Sequence, residues 1–277
     1  MHSPLVTVIC LVHNQLPYLE EAITSVLNQD YPYVELIVVD DGSTDGSKES
    51  IRDLIKSVEF QFVDIPASVG NCTAFNRGLD IATGDFIIDL AADDVLHKNR
   101  VTVGVERLQE TGYGVHYSNA ELIAANGDHL ALHNDRFDHK MPEGDIYSRL
   151  VRGYLVCPTT MMIKREVFDE LEGYDESLSY EDFDFWVRSS RVFPYCYSDQ
   201  VLVKKRILKG SHAATHAKFR NRHQRTTLEV CRKILNLNKT MEDRKALKIR
   251  CWHEIRECIK KGNLELLPDY LSILKRC

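Results

Sequence analysis

Residues 34–46, VELIVVDDGSTDG, constrain the fold more than any other stretch of the chain. Val34, Leu36, Ile37, Val38 and Val39 form a nearly unbroken apolar run that stops on two carboxylates, Asp40 and Asp41. A run without alternation is buried on both faces, which is the habit of a strand inside a parallel sheet. Gly42 and Ser43 turn the chain, and Ser43 or Thr44 is placed to cap a helix over about 45–56. Ligands of open α/β sheets lie in the crevice beyond the carboxyl ends of the strands, so two acids fall where a ligand belongs. Taken alone, the stretch is equally well explained by one acid capping the helix and the other facing water.

The same rhythm surrounds it. Leu5–Val12 reads as a first strand closed by His13 and Asn14, and Leu19, Ile23, Val26 and Leu27 recur at helical spacing until Tyr31-Pro32. A strand over 58–63, a helix over 73–82 and a strand over 85–90 follow, the last delivering Ala91-Ala92-Asp93-Asp94. Repeated β-α alternation with short connections predicts a mostly parallel sheet flanked by helices. After residue 97 the rhythm loosens. A helix over 99–109, a strand over 114–118, a hairpin at Asn126-Gly127, a polar loop over 136–143, a strand over 160–163 and a helix over 181–192 are expected, with edge strands at 195–197 and 201–207. Helices are expected over 216–236, 241–261 and 264–276. The expected organisation is a catalytic domain over 1–212, split at 96 into nucleotide-binding and acceptor-binding halves, and a basic helical region over 213–277.

Composition narrows the setting. No run of 18 apolar residues exists, so no spanning helix is expected, and the start carries no signal-peptide pattern. Eight cysteines form no Cys-x-x-Cys pair, which points to reduced thiols and a cytoplasmic protein rather than a disulfide frame or zinc site. The net charge of -6 hides a split: residues 204–277 hold 20 Lys and Arg against 7 Asp and Glu. A basic tail on an acidic body points to an anionic partner: a membrane surface, such as the inner face of the cell membrane, a phosphate-bearing lipid or nucleic acid. The tail has no recognisable nucleic-acid module, so no nucleic-acid partner is expected.

The acids carry the chemistry. Asp40-Asp41 and Asp93-Asp94 end two strands of one sheet, and Glu181-Asp182 with Asp184 opens a helix. Like charges gathered in one crevice need a cation or hydrogen-bond donors to offset them. Mg2+ or Mn2+ accepts one or two carboxylates plus substrate phosphates, which suits a nucleoside-diphosphate site.

Four motifs in order carry a resemblance: VTVICLVHN at 6–14, LEEAITSVLNQDYPYVELIVVDDGSTDGS at 19–47, VGNCTAFNRGLDIATGDFI at 69–87 with AADD at 91–94, and GYDESLSYEDFDFWVR at 173–188. Residues 5–94 resemble the nucleotide-binding half of a family 2 glycosyltransferase of the GT-A fold, a Rossmann-like α/β architecture, and 173–188 resembles its acceptor-side motif. The resemblance implies an inverting, metal-dependent transferase that takes a sugar from a nucleotide-sugar, by this reading a UDP-sugar, to a glycan or lipid-linked acceptor in surface-polysaccharide assembly. It implies that Asp41 hydrogen-bonds the nucleobase, that the backbone near Leu11 and Asn14 line the nucleoside pocket, and that Asp93 and Asp94 contact ribose and metal. It implies that Asp182 is the general base, with Glu181 on the acceptor side; Trp186, also on that side, could stack on a sugar face, although a tryptophan on a helix face more often joins a core.

The chain departs from the pattern at three places. Ala91 replaces the first acid of Asp-x-Asp, and Phe75 stands where relatives often carry Arg. Arg206-Ile207-Leu208 replaces Arg-x-His, with His212, a candidate metal ligand, displaced by four residues. Lys204, Lys205, Lys209 and His212 are the residues that could compensate. Asp89 has no explanation in a buried strand. Two other readings stay open: a non-catalytic binding or scaffold protein on the same fold, and a nucleotidyltransferase, although Val12-His13-Asn14-Gln15 lacks a Gly-rich loop. Trp252, Ile255, Ile259 and Cys251 share helical spacing and suit either the catalytic domain or a second subunit, as in a homodimer.

Overall fold

β1 (Val6–Val12) is buried along its whole length because it lies between two parallel neighbours, β2 (Val34–Asp41) and β4 (Phe86–Ala91). Val8 sits opposite Leu36 on one side and Ile88 on the other. β3 (Gln61–Ile65) pairs parallel with the outer side of β2 and starts three residues later than its apolar content suggests. In this computed structural model, which describes residues 3–208 and 223–277, the sheet runs β3-β2-β1-β4, then β8 (Met162–Lys164), β6 (Val115–Ile123), β9 (Tyr195–Arg206) and β5 (Val95–Leu96), with β7 (His129–Leu132) hanging on β6.

Alternation along β1 feeds two cores. Ile9 and Leu11 face one layer with Ile37, Val39 and Phe75 of helix α3 (Asn71–Ile81). Val8 and Cys10 face the other, with Leu19, Ile23 and Val26 of α1 (Leu16–Leu27) and Val101, Val105 and Leu108 of α4 (Arg100–Thr111). The helix after β2 is α2 (Ser47–Leu54); neither Ser43 nor Thr44 caps it, and the Asp45 carboxylate instead accepts from the Ser47 amide at 3.0 Å.

The second half completes the sheet in mixed directions. β6 (Val115–Ile123) and β7 (His129–Leu132) form the expected hairpin around Asn126-Gly127. β8 (Met162–Lys164) runs antiparallel between β4 and β6. The two segments expected as edge strands are one strand, β9 (Tyr195–Arg206), and it is internal: it pairs parallel with β6 and antiparallel with β5 (Val95–Leu96). Polar Ser198-Asp199-Gln200 made it read as two, and the register of β9 against β6 slips at that point. Two short helices, α5 (Tyr147–Arg152) and α6 (Arg165–Leu171), carry too few turns for a periodic signal.

Beyond α7 (Asp182–Ser190) come α8 (His223–Leu237), α9 (Met241–Lys261) and α10 (Leu267–Arg276). Thr240 and Asp243 form a reciprocal capping box that starts α9, and left-handed Gly262 stops it. These helices share the first core: Cys231, Ile234, Leu247, Cys251 and Ile255 pack in one cluster with Tyr147, Val151 and Phe183. Lys233 on α8 reaches Asp175 and Asp184, and Tyr147 Oη donates to Asn238 Oδ1 at 3.0 Å. All eight cysteines are free thiols, seven of them buried.

Candidate active site

The rim of the crevice is built where β1 and β2 end. Asp40 is fully buried; one oxygen accepts from the Ser43 amide at 3.0 Å, and the other has no hydrogen-bond partner among the described residues. Asp41 turns to the neighbouring loop, accepting from Ser68 Oγ at 2.7 Å, the Val69 amide at 2.7 Å and the Gly70 amide at 3.1 Å. Gly42 makes that approach feasible: its φ is +68°, and a β-carbon there would lie 2.4 Å from the Ser68 nitrogen. Asn14 also holds a left-handed conformation, φ 57°, rare for a residue with a side chain. Its Oδ1 accepts from the Thr44 amide at 2.8 Å while its own amide donates to Ser43 Oγ at 3.0 Å. Leu11 is buried, and its carbonyl accepts from the Ala92 amide at 2.9 Å. Leu11, Asn14, Asp41 and Asp93 thus come to one end of the sheet.

Asp93 and Asp94 occupy the turn by which β4 leaves the sheet and crosses to β5. Gln15 Nε2 donates to Asp93 Oδ1 at 2.6 Å, and the Arg206 amide on β9 donates to Asp94 Oδ1 at 2.8 Å. Arg206 is spent on structure: its guanidinium binds the carbonyls of Asp93, Ala124 and Ala125 and the Glu21 carboxylate, over the Tyr18 ring. Burial, then the adjacent Asp94, pushes Asp93 up to about 6. Burial raises Asp94 as well, against the pull of Lys205 and the Arg206 amide.

Three further acids, Asp89, Glu181 and Asp182, interact electrostatically with one another near this turn. Asp89, unexplained at the level of sequence, accepts from Tyr174 Oη at 3.0 Å, and burial with the charge of Glu181 pushes it up to about 8. Tyr174 is held for that contact by stacking on Phe75, ring centroids 4.3 Å apart, so Phe75 is part of the aromatic core. Asp182 begins α7, where Glu181 holds the cap position and no side-chain cap bond forms. Burial first, then Glu181, lifts Asp182 well above the ordinary carboxylate range; a position at the positive helix end does not keep it low. Lys205 is the cation among these acids, within electrostatic reach of Asp93, Asp94 and Asp182. Gln15 and Tyr174 escaped the sequence reading, and Asp89 entered it only as an unexplained acid inside an apolar strand.

Two expected residues lie elsewhere. Trp186 is buried in the core, its Nε1 donating to Met161 Sδ at 3.1 Å, so its ring is not exposed to stack on a sugar. Asp184, the third acid of the cluster that opens α7, is buried between Arg188 and Lys233. His212 and Lys209 lie outside the described residues.

The residues fit a divalent cation poorly. Among the described residues no group of three or more His, Cys, Asp or Glu converges to hold one. One oxygen each of Asp93 and Asp94 is already engaged by protein donors, Ala91 and Leu208 offer no ligand, and the Lys205 ammonium repels a second cation. Asp93 and Asp94 each keep one carboxylate oxygen, so an Mn2+ or Mg2+ here would rest on those two acids and the donor's phosphates, beside the competing Lys205 ammonium.

Comparison with known proteins places the fold. The chain superposes on Staphylococcus aureus TarS 1–349, solved with UDP-GlcNAc, with a TM-score of 0.76 over 98% of this chain and 79% of that one at 19% identity. It superposes on the mannosyltransferase PcManGT of Pyrobaculum calidifontis, solved with GDP-Man and Mn2+, with a TM-score of 0.66 over 99% and 75% at 20% identity. The architecture is the GT-A fold. In sequence it is 31% identical over 171 residues to TuaG of Bacillus subtilis, named for teichuronic acid biosynthesis, covering 61% of this chain and 66% of that one. It is 30% identical over 218 residues to the uncharacterized glycosyltransferase RP339 of Rickettsia prowazekii, covering 77% and 66%. The chain thus spans just under two thirds of these curated relatives. The model of the family described as glycosyl transferase family 2 matches residues 7–172, and the chain belongs to that family.

Proposed function

We propose that this protein transfers a sugar from a nucleotide-sugar, by this reading a UDP-sugar, to a hydroxyl of a glycan or lipid-linked acceptor, with inversion, in surface-polysaccharide assembly. The observation that carries the reading is the meeting of acids from two halves of the chain, Asp93 and Asp94 from β4 and Glu181 and Asp182 from α7, around Lys205. The nucleoside lies over the ends of β1 and β2. Asp41 Oδ1 has one protein donor and keeps acceptor capacity for a base N–H. Asp182 takes the proton of the acceptor hydroxyl as that oxygen bonds to the anomeric carbon. The bond to the diphosphate breaks on the opposite face. Burial, and then the charge of Glu181 beside it, raises the basicity of Asp182.

The test of the donor site is a melting scan. UDP at ~100 times its dissociation constant adds roughly 2.7 kcal/mol, and Asp41→Ala removes most of that shift. If millimolar UDP and GDP both leave the parent protein's melting temperature unchanged, the donor reading is wrong.

We further propose that the protein works peripherally at an anionic membrane surface. Among the described residues no helix is long and apolar enough to cross a membrane. The outer face of α9 instead presents Ile249, Trp252 and Ile259, all exposed, beside Lys245, Lys248 and Arg256. An apolar stripe with flanking cations suits the headgroup region, where each basic residue contributes roughly 1 kcal/mol. The full chain is expected to sediment with vesicles containing phosphatidylglycerol at low salt and to be released as salt rises. Trp252→Ser with Lys248→Glu should abolish sedimentation without a melting change. Equal sedimentation of parent and variant removes this face from consideration.

A further inference from the structure

Gathering five buried or half-buried carboxyl groups in one crevice is unfavourable unless something positive sits among them. Asp89, Asp93, Asp94, Glu181 and Asp182 are coupled electrostatically to one another, and a donor diphosphate would bring more negative charge into the same crevice. Three cations end β9. Side chains alternate along a strand, so Lys204 and Arg206 share one face and Lys205 takes the other. Arg206 is fully committed to carbonyls and to Glu21. Lys205 makes no hydrogen bond or ion pair with the described residues. Its position is fixed nonetheless, because the next amide, that of Arg206, is bonded to Asp94 Oδ1 and its register partner is Leu122. An ammonium on a fixed strand, with no side-chain partner among the described residues and within electrostatic reach of Asp93, Asp94 and Asp182, is suited to receive an anion.

We propose that Lys205 is the resident cation of this crevice and that it binds the donor's diphosphate in the role a divalent metal would otherwise fill. This rests on the nucleotide-sugar reading and adds to it. As the anomeric carbon–oxygen bond to the diphosphate breaks, the electron pair goes to the leaving oxygen, and Lys205 N–H groups stabilise the charge that grows there. Two departures from the family pattern then have one account. Ala91 and Leu208 withhold metal ligands at the site where Lys205 supplies a fixed charge.

The test is UDP and uridine binding by calorimetry, in EDTA and in Mn2+, on the parent protein, Lys205→Gln and Lys205→Arg. The parent should bind UDP equally well in EDTA and Mn2+. Lys205→Gln should lose about tenfold in UDP affinity in EDTA, the scale of one hydrogen bond to a charged group. It should keep its melting temperature and uridine affinity, and Mn2+ should now improve its UDP binding. Lys205→Arg should retain most of the parent affinity. Parent binding that collapses in EDTA, or a Lys205→Gln variant that binds UDP like the parent, overturns the proposal while leaving the donor reading intact. If Lys205→Gln melts early, Lys205→Arg and the parent's EDTA response decide the question. Failure of the parent to bind UDP or GDP under either condition overturns the donor reading, and this proposal with it.

Discussion

Asp182→Asn is expected to lower sugar transfer by about 10²-fold or more while leaving nucleotide binding and melting temperature unchanged, the scale of a lost general base. The substitution keeps size and shape and removes only the capacity to accept a proton. A capping role would predict little change, since Asn caps nearly as well as Asp. That alternative has no support in the local geometry, because Glu181 holds the cap position and α7 has no side-chain cap bond. The electrostatics add a second signature. Burial and Glu181 raise Asp182 well above the ordinary carboxylate value near 3.9. A base must be ionised to act, so activity falls as pH drops through the raised value. The acid limb of the pH–rate profile should lie above the usual carboxylate range and vanish in Asp182→Asn. Transfer within a few-fold of the parent, or an acid limb at ordinary carboxylate pH, would move the base to Glu181.

The strand ends were legible because a parallel sheet demands unbroken apolar runs, and such runs point at their own termini. Asp41, Asp93 and Asp182 could be chosen from that logic and the motif order. The long-range partners could not. Gln15 donating to Asp93 spans 78 positions, and the Arg206 amide meeting Asp94 spans 112; no local period encodes either. Asp89 stood out only as a misfit in an apolar strand, and its reason, a tyrosine held by the Phe75 stack, appears only when α3 and the 173–180 loop meet. Trp186 shows the converse limit. Its helical spacing is the same whether the indole faces a sugar or a core, and burial against Met161 decides it. The basic tail was read by counting charge, which treats every arginine as surface. Arg206 and Arg250 are buried and committed to the interior.

Arg250 therefore yields the largest expected effect on stability. It is 2% exposed on the inner face of α9. Its Nε donates to the Val151 carbonyl at 3.0 Å, its Nη1 to Glu254 at 3.1 Å, and its guanidinium lies over the rings of Tyr154 and Phe183 at 4.3 and 4.5 Å. Arg250→Ala would leave Glu254, itself buried, without its counter-charge, orphan the Val151 carbonyl and open a cavity between α9 and α5. Breaking a buried pair from one side costs about 3–5 kcal/mol, which for a chain of this size is a fall of roughly 10 °C in melting temperature. Arg250→Met with Glu254→Leu should recover much of the loss, because apolar residues of similar volume replace buried ion pairs at little cost. The effect should also reach the crevice. Phe183, under the guanidinium, follows Asp182 directly, so the C-terminal helices hold the start of α7 from behind. Transfer by Arg250→Ala should fall even well below its melting temperature, with UDP affinity retained. A melting shift under about 2 °C, well below one buried ion pair, would show that α9 rests on the catalytic half without supporting it.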